Sequence, residues 1–284
     1  MSEIESSENL IRDKNIDIHD FADVSPKAEL GKGVCVGSGA VIGPDVIVGP
    51  NTWIGPNVII EGKVKIGSNN KIFPGACIGL EPQDLKYKGD STDVLIGDNN
   101  TFRECVTINR ATFKGEKTIV GDQNLLMAYS HLGHNCEIGN NVVIANCVQV
   151  AGHVVVEDRA VIGGCLGIHQ FVHIGYLAMV GGMTRVDRDV PPYCLAEGHP
   201  GRMRGLNKVG IKRKNIDKDN KEEYIQLRKI WNLLFKSEYV ISDGLKIARQ
   251  EELFQSSSRL CEFLELSIAK GRRGPMPSLS ATNK

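Results

Sequence analysis

The 284-residue sequence contains no apolar run of the roughly 18 residues that a membrane-spanning helix needs, so no segment is expected to cross a bilayer. It also lacks a charge of one sign. Its 34 Lys and Arg balance 34 Asp and Glu, which gives no reason to propose nucleic acid as a partner. Residues 1–20 are polar and partly acidic, without the apolar core of a secretory signal or the Arg-rich bias of a transit peptide. The expected location is cytoplasmic, or an organelle interior if the source is eukaryotic and a transit peptide was removed ahead of Met1. The eight cysteines fall singly, with no C-x-x-C pair to suggest a metal or redox motif.

What the sequence has instead is a period of six. From Val24 to Val186 every sixth residue is aliphatic or Phe, and only Asp84, Asp90 and Lys114 break the series. The next residue is often Gly, and the fourth after it is usually small or β-branched, as at Val46, Thr52, Val58 and Ala76. This is the hexapeptide repeat of a parallel β-helix. In the hexapeptide proteins that the chain resembles, six residues form one side of a triangular prism and 18 complete a coil. The apolar residue points inward and Gly eases the corner. That resemblance, not the period, implies a left-handed helix. Residues 18 apart then stack about 4.8 Å apart, and roughly nine coils fit between Ile18 and Val186. Cys147 and Cys165 stack in this way, where a disulfide is geometrically conceivable, although reduced thiols suit a cytosolic protein better.

The expected organisation is a polar extension (1–17), the β-helix (18–190), a connector with a small α-helical domain (191–270) and a disordered Gly/Pro/Ser-rich tail (271–284). The fold class is thus an all-β solenoid followed by helices. Two interruptions keep the six-residue phase: Leu80 to Asp93, a polar loop, and Phe113 to Lys117. Tyr224, Leu227, Ile230, Trp231 and Leu234 share one helical face, and Leu260, Phe263, Leu264 and Ile268 form another. These helices are expected to cap the column against edge-to-edge aggregation. A prism exposes the outer faces of its parallel sheets, so another subunit must cover a wall, and a cyclic homotrimer is the symmetric solution.

Counting in eighteens brings His131, His134, His153 and His169 to one corner, and none of them occupies an inward aliphatic slot. His134 stacks under Gly152, and Gln170 lies one coil further. Zinc is one use for such a cluster, but the spacings do not fit the metal-binding pattern of the trimeric hexapeptide carbonic anhydrases. General-base catalysis is the other, since a neutral imidazole accepts a proton at pH 7. A glycine amide above it can approach a developing oxyanion because no Cβ intervenes.

Local signatures go beyond the repeat: PQDLKY (Pro82 to Tyr87), NLLMAYSHLGHNC (Asn124 to Cys136), AGHV (Ala151 to Val154), HQF (His169 to Phe171), MVGG (Met179 to Gly182), DVPPY (Asp189 to Tyr193) and GLNKVGIKRK (Gly205 to Lys214). With these, residues 24 to 270 closely resemble the UDP-N-acetylglucosamine O-acyltransferases of lipid A biosynthesis. The related N-acyltransferases carry an extra N-terminal domain, for which no room is expected before a repeat beginning near residue 18. The resemblance implies a homotrimer that transfers an (R)-3-hydroxyacyl group from acyl carrier protein to the 3-hydroxyl of UDP-N-acetylglucosamine. It implies no cofactor of the enzyme's own, since the acyl group arrives on the carrier's phosphopantetheine. By motif, His134 is the general base and the Gly152 amide meets the oxyanion. Gln83, Asp84, Lys86, His131, His153, His169 and Gln170 contact substrate, and Asn207 and Arg213 hold the uridine diphosphate. Gly182, stacked with Asn146 and Gly164, limits acyl-chain length. The basic run from Arg202 to Lys214 could attract the acidic carrier.

Four residues depart from the family's pattern. Asn135 follows the base where Asp is common, Val209 replaces a common Glu, Lys214 a second Arg, and Asn109 a His. Two alternatives stay open: a hexapeptide acyl- or acetyltransferase using coenzyme A, and a non-catalytic hexapeptide scaffold.

Overall fold

The computed structural model describes residues 15–278 and divides the chain into two compact units, Met1–His153 and Val154–Lys284. In the first, strands of two to four residues stack in parallel on three walls. Leu126 pairs with Ile144 and Leu132 with Val150, 18 positions on in each case. The two insertions stretch this register in whole sixes: Ile66 pairs with Ile96, 30 residues on, and Phe102 with Leu126, 24 on. The phase therefore survives both loops. Every sixth residue is driven inward, and Ile54, Ile60, Ile72, Ile78, Phe102, Ile108, Leu126, Leu132 and Ile144 are all fully buried.

The corner is built differently from the expectation. The glycine after the core residue does not supply the turn. A Cβ on Gly31 would lie 2.6 Å from the Pro50 nitrogen, and one on Gly37 would lie 2.7 Å from that of Pro56, so these glycines admit the next coil's backbone. The left-handed turn comes two residues later, and Asn often fills it: Asn51, Asn57, Asn69, Asn99, Asn135 and Asn141 have φ between 56° and 60°. Asn tolerates this region because its short amide bonds locally.

The fourth position also differs, because three consecutive inward slots hold buried Asn70, Asn100 and Asn124. The Asn70 side-chain oxygen accepts the Asn100 N–H at 2.9 Å, and that of Asn100 accepts the Asn124 N–H at 2.9 Å. Asn124 accepts the Val142 N–H in turn, at 2.7 Å. A polar ladder is tolerated inside an aliphatic column because each amide finds its partner on the next coil.

In the second unit parallel strands again stack at register 18, with Val156 opposite Ile174, Ile162 opposite Val180 and Ile168 opposite Val186. Cys194–Glu197 then pairs antiparallel with Arg202–Leu206. Five helices follow: α1 (Lys208–Arg213), α2 (Ile216–Asp219), α3 (Lys221–Phe235), α4 (Ile241–Ala248) and α5 (Gln255–Ser267). Helix α3 buries Leu227, Ile230, Trp231, Leu234 and Phe235, the expected face plus one residue, with Tyr224 at its margin. Helix α5 buries Leu260, Cys261, Phe263 and Leu264, while Ile268 stays exposed. It lies against the coils, with the Phe263 ring 4.5 Å from that of His173 and the Arg259 guanidinium 4.4 Å over Tyr176.

The expected disordered tail is a correction. Residues 271–278 run back over the last coil, where Arg272 meets buried Asp189 at 2.7 Å and Met276 donates its N–H to the Asp189 carbonyl. Met276 is buried, and one anchoring side chain with these bonds outweighs a composition that argued for disorder. Residues 1–14 of the expected extension and residues 279–284 of the tail lie outside the described residues, and the first strand is Asp17–Ile18. Cys147 and Cys165 are both free thiols.

Candidate active site

The first unit brings together His131, His134, His153, Gly152 and Asp84. His131 opens a two-residue strand ending at core residue Leu132. His134 and His153 sit at successive corners, where the His153 N–H donates to the His134 carbonyl at 2.9 Å. Their rings meet edge to face at 5.0 Å between centroids. Gly152 is buried against the His134 imidazole, and a Cβ there would come within 2.5 Å of Cε1. Glycine is therefore obligatory for the ring to lie where it does, which is a steric demand and not one of backbone torsion.

The hydrogen bonds fix the tautomer of His134. Its Nδ1 lies 2.9 Å from Asn135 Oδ1 and 3.0 Å from Thr112 Oγ1. The Asn135 amide has one sensible orientation, because its Nδ2 donates to Glu116 Oε2 at 2.7 Å and its Oδ1 accepts the Thr112 N–H at 3.2 Å. Oδ1 can only accept, so Nδ1 carries the proton and the lone pair is on Nε2. Nε2 faces Asp84 Oδ2 across 3.8 Å, longer than a hydrogen bond.

Asp84 is delivered by the long loop. The Lys86 N–H donates to its Oδ1 at 3.0 Å and the Thr112 hydroxyl to its Oδ2 at 3.3 Å. The Lys86 N–H chiefly, with the nearby His134 and the Thr112 hydroxyl, holds its carboxyl below the usual range. Arg110 clamps the loop by donating to the Tyr87 hydroxyl at 2.9 Å and to the Gly79 carbonyl at 3.0 Å. Gln83 and Lys86 are exposed on the same loop. A hollow of about 540 Å³ lined by Lys27, Asp45, Lys63, Tyr87 and Arg110 contains none of the histidines.

Burial, then repulsion from the neighbouring His134 whenever that ring is protonated, lowers the pKa of both His131 and His153; the carboxylates of Glu116 and Asp84 partly offset this at His153. His131 Nδ1 lies 2.8 Å from Thr107 Oγ1. The two flanking imidazoles thus stay neutral at pH 7. Chemically, the arrangement is a base with a fixed tautomer, an accepting Nε2 and a backbone glycine against its ring.

Thr112, Glu116 and Arg110 were not singled out from the sequence. The signal was the short insertion itself: counted as one extra hexad, it brings residues 111 and 112 alongside 135 and 136.

The remaining candidates lie in the second unit. His169 is half-buried, with Nδ1 3.0 Å from the Gln170 carbonyl and Nε2 3.3 Å from an Arg273 nitrogen; Gln170 is exposed. Asn207 caps α1, accepting the Gly210 N–H at 2.9 Å while its Nδ2 donates to the Leu177 carbonyl at 2.9 Å, so both ends of its amide are committed within the chain. Arg213 is exposed at the end of α1. Gly182 is exposed with an ordinary φ, and a Cβ there would meet only the Gly164 carbonyl oxygen at 3.4 Å and its nitrogen at 3.8 Å.

A family model described as Udp N-acetylglucosamine O-acyltransferase, domain 2, matches residues 189–276, and the bacterial transferase hexapeptide model matches residues 45–79 and 117–152. The acyl-[acyl-carrier-protein]–UDP-N-acetylglucosamine O-acyltransferase of Synechocystis is 49% identical over 225 residues, covering 77% of this chain and 79% of that one. The Helicobacter pylori protein of the same name is 52% identical over 197 residues, covering 69% and 73%. Among solved structures, the UDP-N-acetylglucosamine acyltransferase of Bacteroides fragilis superposes with a TM-score of 0.84 at 33% identity, covering 92% of this chain and 99% of that one. The Arabidopsis enzyme gives 0.81 at 33%, covering 91% and 99%. This chain, a left-handed parallel β-helix followed by a small helical domain, belongs to the acyl-[acyl-carrier-protein]–UDP-N-acetylglucosamine O-acyltransferase family.

Proposed function

We propose that this chain transfers an (R)-3-hydroxyacyl group from acyl carrier protein to the glucosamine 3-hydroxyl of UDP-N-acetylglucosamine, the opening step of lipid A biosynthesis. The observation that carries the reading is His134, with Nδ1–H tied to Asn135 and an open lone pair on Nε2. Nε2 takes the proton of the sugar hydroxyl as its oxygen attacks the thioester carbonyl. The oxyanion of the tetrahedral intermediate is met by the Gly152 amide. On collapse the C–S bond breaks, and the imidazolium returns its proton to the departing pantetheine sulfur. Asp84 on its loop, with Gln83 and Lys86, holds hydroxyl groups of the substrate. His131 and His153, kept neutral, line the site without competing for the proton.

In the second unit, His169, Gln170, Asn207 and Arg213 are assigned to substrate. The Arg213 guanidinium suits diphosphate oxygens through its fork of donors. Because Asn207 spends its amide on the helix cap, its part is to place α1 as well as to touch ligand. At Gly182 neither φ nor packing demands glycine, which favours a groove-clearing role and a long acyl chain. The enzyme needs no cofactor of its own, acts as a homotrimer and works in the cytoplasm or an organelle interior.

The test is His134→Ala, which should abolish transfer while leaving the assembly intact by light scattering. Substantial residual turnover would sink the proposal. Offering carrier-bound and coenzyme A-bound acyl groups side by side discriminates the coenzyme A alternative, and inertness toward both would favour a scaffold.

A further inference from the structure

We propose that Glu116 is a positioning residue for His134, acting through Asn135, and that this chain thereby keeps a carboxylate behind its base one side chain further away than usual. The inference rests on the reading of His134 as the general base. A neutral amide beside that base orients it but supplies no full charge to the imidazolium formed during turnover. In this structure the amide is not the end of the chain of contacts. Asn135 Nδ2 donates to Glu116 Oε2 at 2.7 Å, and Asn135 Oδ1 faces His134 Nδ1 at 2.9 Å. The amide is thus polarised by a carboxylate on one side while it accepts from the imidazole on the other.

Several features make the arrangement a built one. The Asn135 N–H is held by Thr118 Oγ1 at 2.9 Å, and Glu116 Oε2 also accepts the Phe113 N–H at 3.1 Å, so both partners are fixed at the backbone. Glu116 is half-buried. It belongs to the short insertion, which the Lys114 N–H ties to Asp90 of the long loop at 3.2 Å. The charged and titratable groups around His134 are Asp84 on the long loop, with Lys86 beside Asp84 and His153, then His131 and His153 themselves, and Glu116 behind Asn135. Of these, only Glu116 acts along the Nδ1 direction that sets the tautomer.

A double-mutant cycle with a pH profile tests the assignment. Glu116→Ala should lower kcat about tenfold to a hundredfold with little change in KM for the nucleotide sugar, as expected for losing a charge-assisted bond that matters most when the base is protonated. It should also move the acid limb of kcat/KM to lower pH, because a negative charge favouring imidazolium has gone. Asn135→Asp should move that limb to higher pH. In the Asn135→Asp background the Glu116→Ala substitution should cost little, since the carboxylate then contacts the imidazole directly. If Glu116 merely props the insertion, its removal will cost the same in both backgrounds and leave the acid limb in place, which overturns the proposal. Should Glu116→Ala fail to fold, Glu116→Gln keeps an acceptor for Phe113 and Asn135 without the charge, and the same downward movement of the acid limb is required. Turnover by His134→Ala would overturn both readings. An inactive His134→Ala beside an unaltered Glu116→Gln profile would overturn only this one.

Discussion

His131 and His153 flank His134, and burial keeps both from holding a proton easily. The sign of the consequence is fixed. An unfolded histidine titrates near 6.5, whereas the folded form of His131 must be acidified further before it charges. The unfolded chain therefore binds more protons between those two points, and the stability present above about pH 6.5 is lost as pH falls through the lowered value. Thermal melts from pH 7.5 to pH 5 should show a falling midpoint, and His131→Asn, which removes the titrating group, should flatten the fall. An unchanged slope in that variant would contradict the assignment. At the same scale, Gly152→Ala places a methyl group where the His134 ring lies. A displacement of about 1 Å is enough to cost on the order of a hundredfold in kcat. The melt should change little, because the ring can swing toward solvent. The stacking of Gly152 over His134 was legible from an 18-residue count, but not the steric demand that the ring makes there. That Glu116 completes the site was not legible, because its place beside Asn135 depends on how the insertion folds back, whereas Thr112 follows from counting that insertion as one extra hexad.

The corner and the inward slot each obey their own chemistry at the level of the coil. Sequence periodicity identified the aliphatic positions because burial of one residue in six leaves an unambiguous trace. It misassigned the turn, because glycine suggests freedom of φ when here it permits close approach of the next coil. It also left unforeseen the column of Asn70, Asn100 and Asn124, since inward polar residues look like errors until the vertical partners are known. Asn100→Ala should cost about 1–3 kcal/mol, because it strands the Asn124 N–H inside the column and leaves Asn70 Oδ1 with only the backbone N–H of residue 100. Urea denaturation would measure this, and a loss no greater than that of an exposed alanine substitution would show that the ladder is incidental. In the tail, composition argued for disorder, yet Arg272 and Met276 tie residues 271–278 to the last coil. One buried methionine is too small a signal to stand out against glycine, proline and serine.

For the molecule as a whole, three parallel walls leave sheet faces that a lone chain does not cover with crossover helices. Light scattering should return three times the chain mass, and a monomer would require another explanation for the exposed Ile47, Trp53 and Ile119. Chain-length choice belongs to this scale too, since an acyl group outreaches a single corner. With a mixed-length pool of carrier thioesters, Gly182→Met should shift the product mass to shorter chains, each methylene being worth roughly fourfold in binding. An identical product distribution would assign Gly182 to packing alone.

The long loop adds twelve residues between partners that are otherwise eighteen apart. Excising residues 81–92 would join Leu80 to Asp93 and place Ile96 six steps after Ile78, with Val94 still facing inward. The mended chain should melt as a single well-ordered species and turn over nothing, while removal of one residue more should ruin it. The coils thus carry both the fold and the base His134, while the substrate contacts proposed for Gln83, Asp84 and Lys86 ride on a detachable twelve-residue addition.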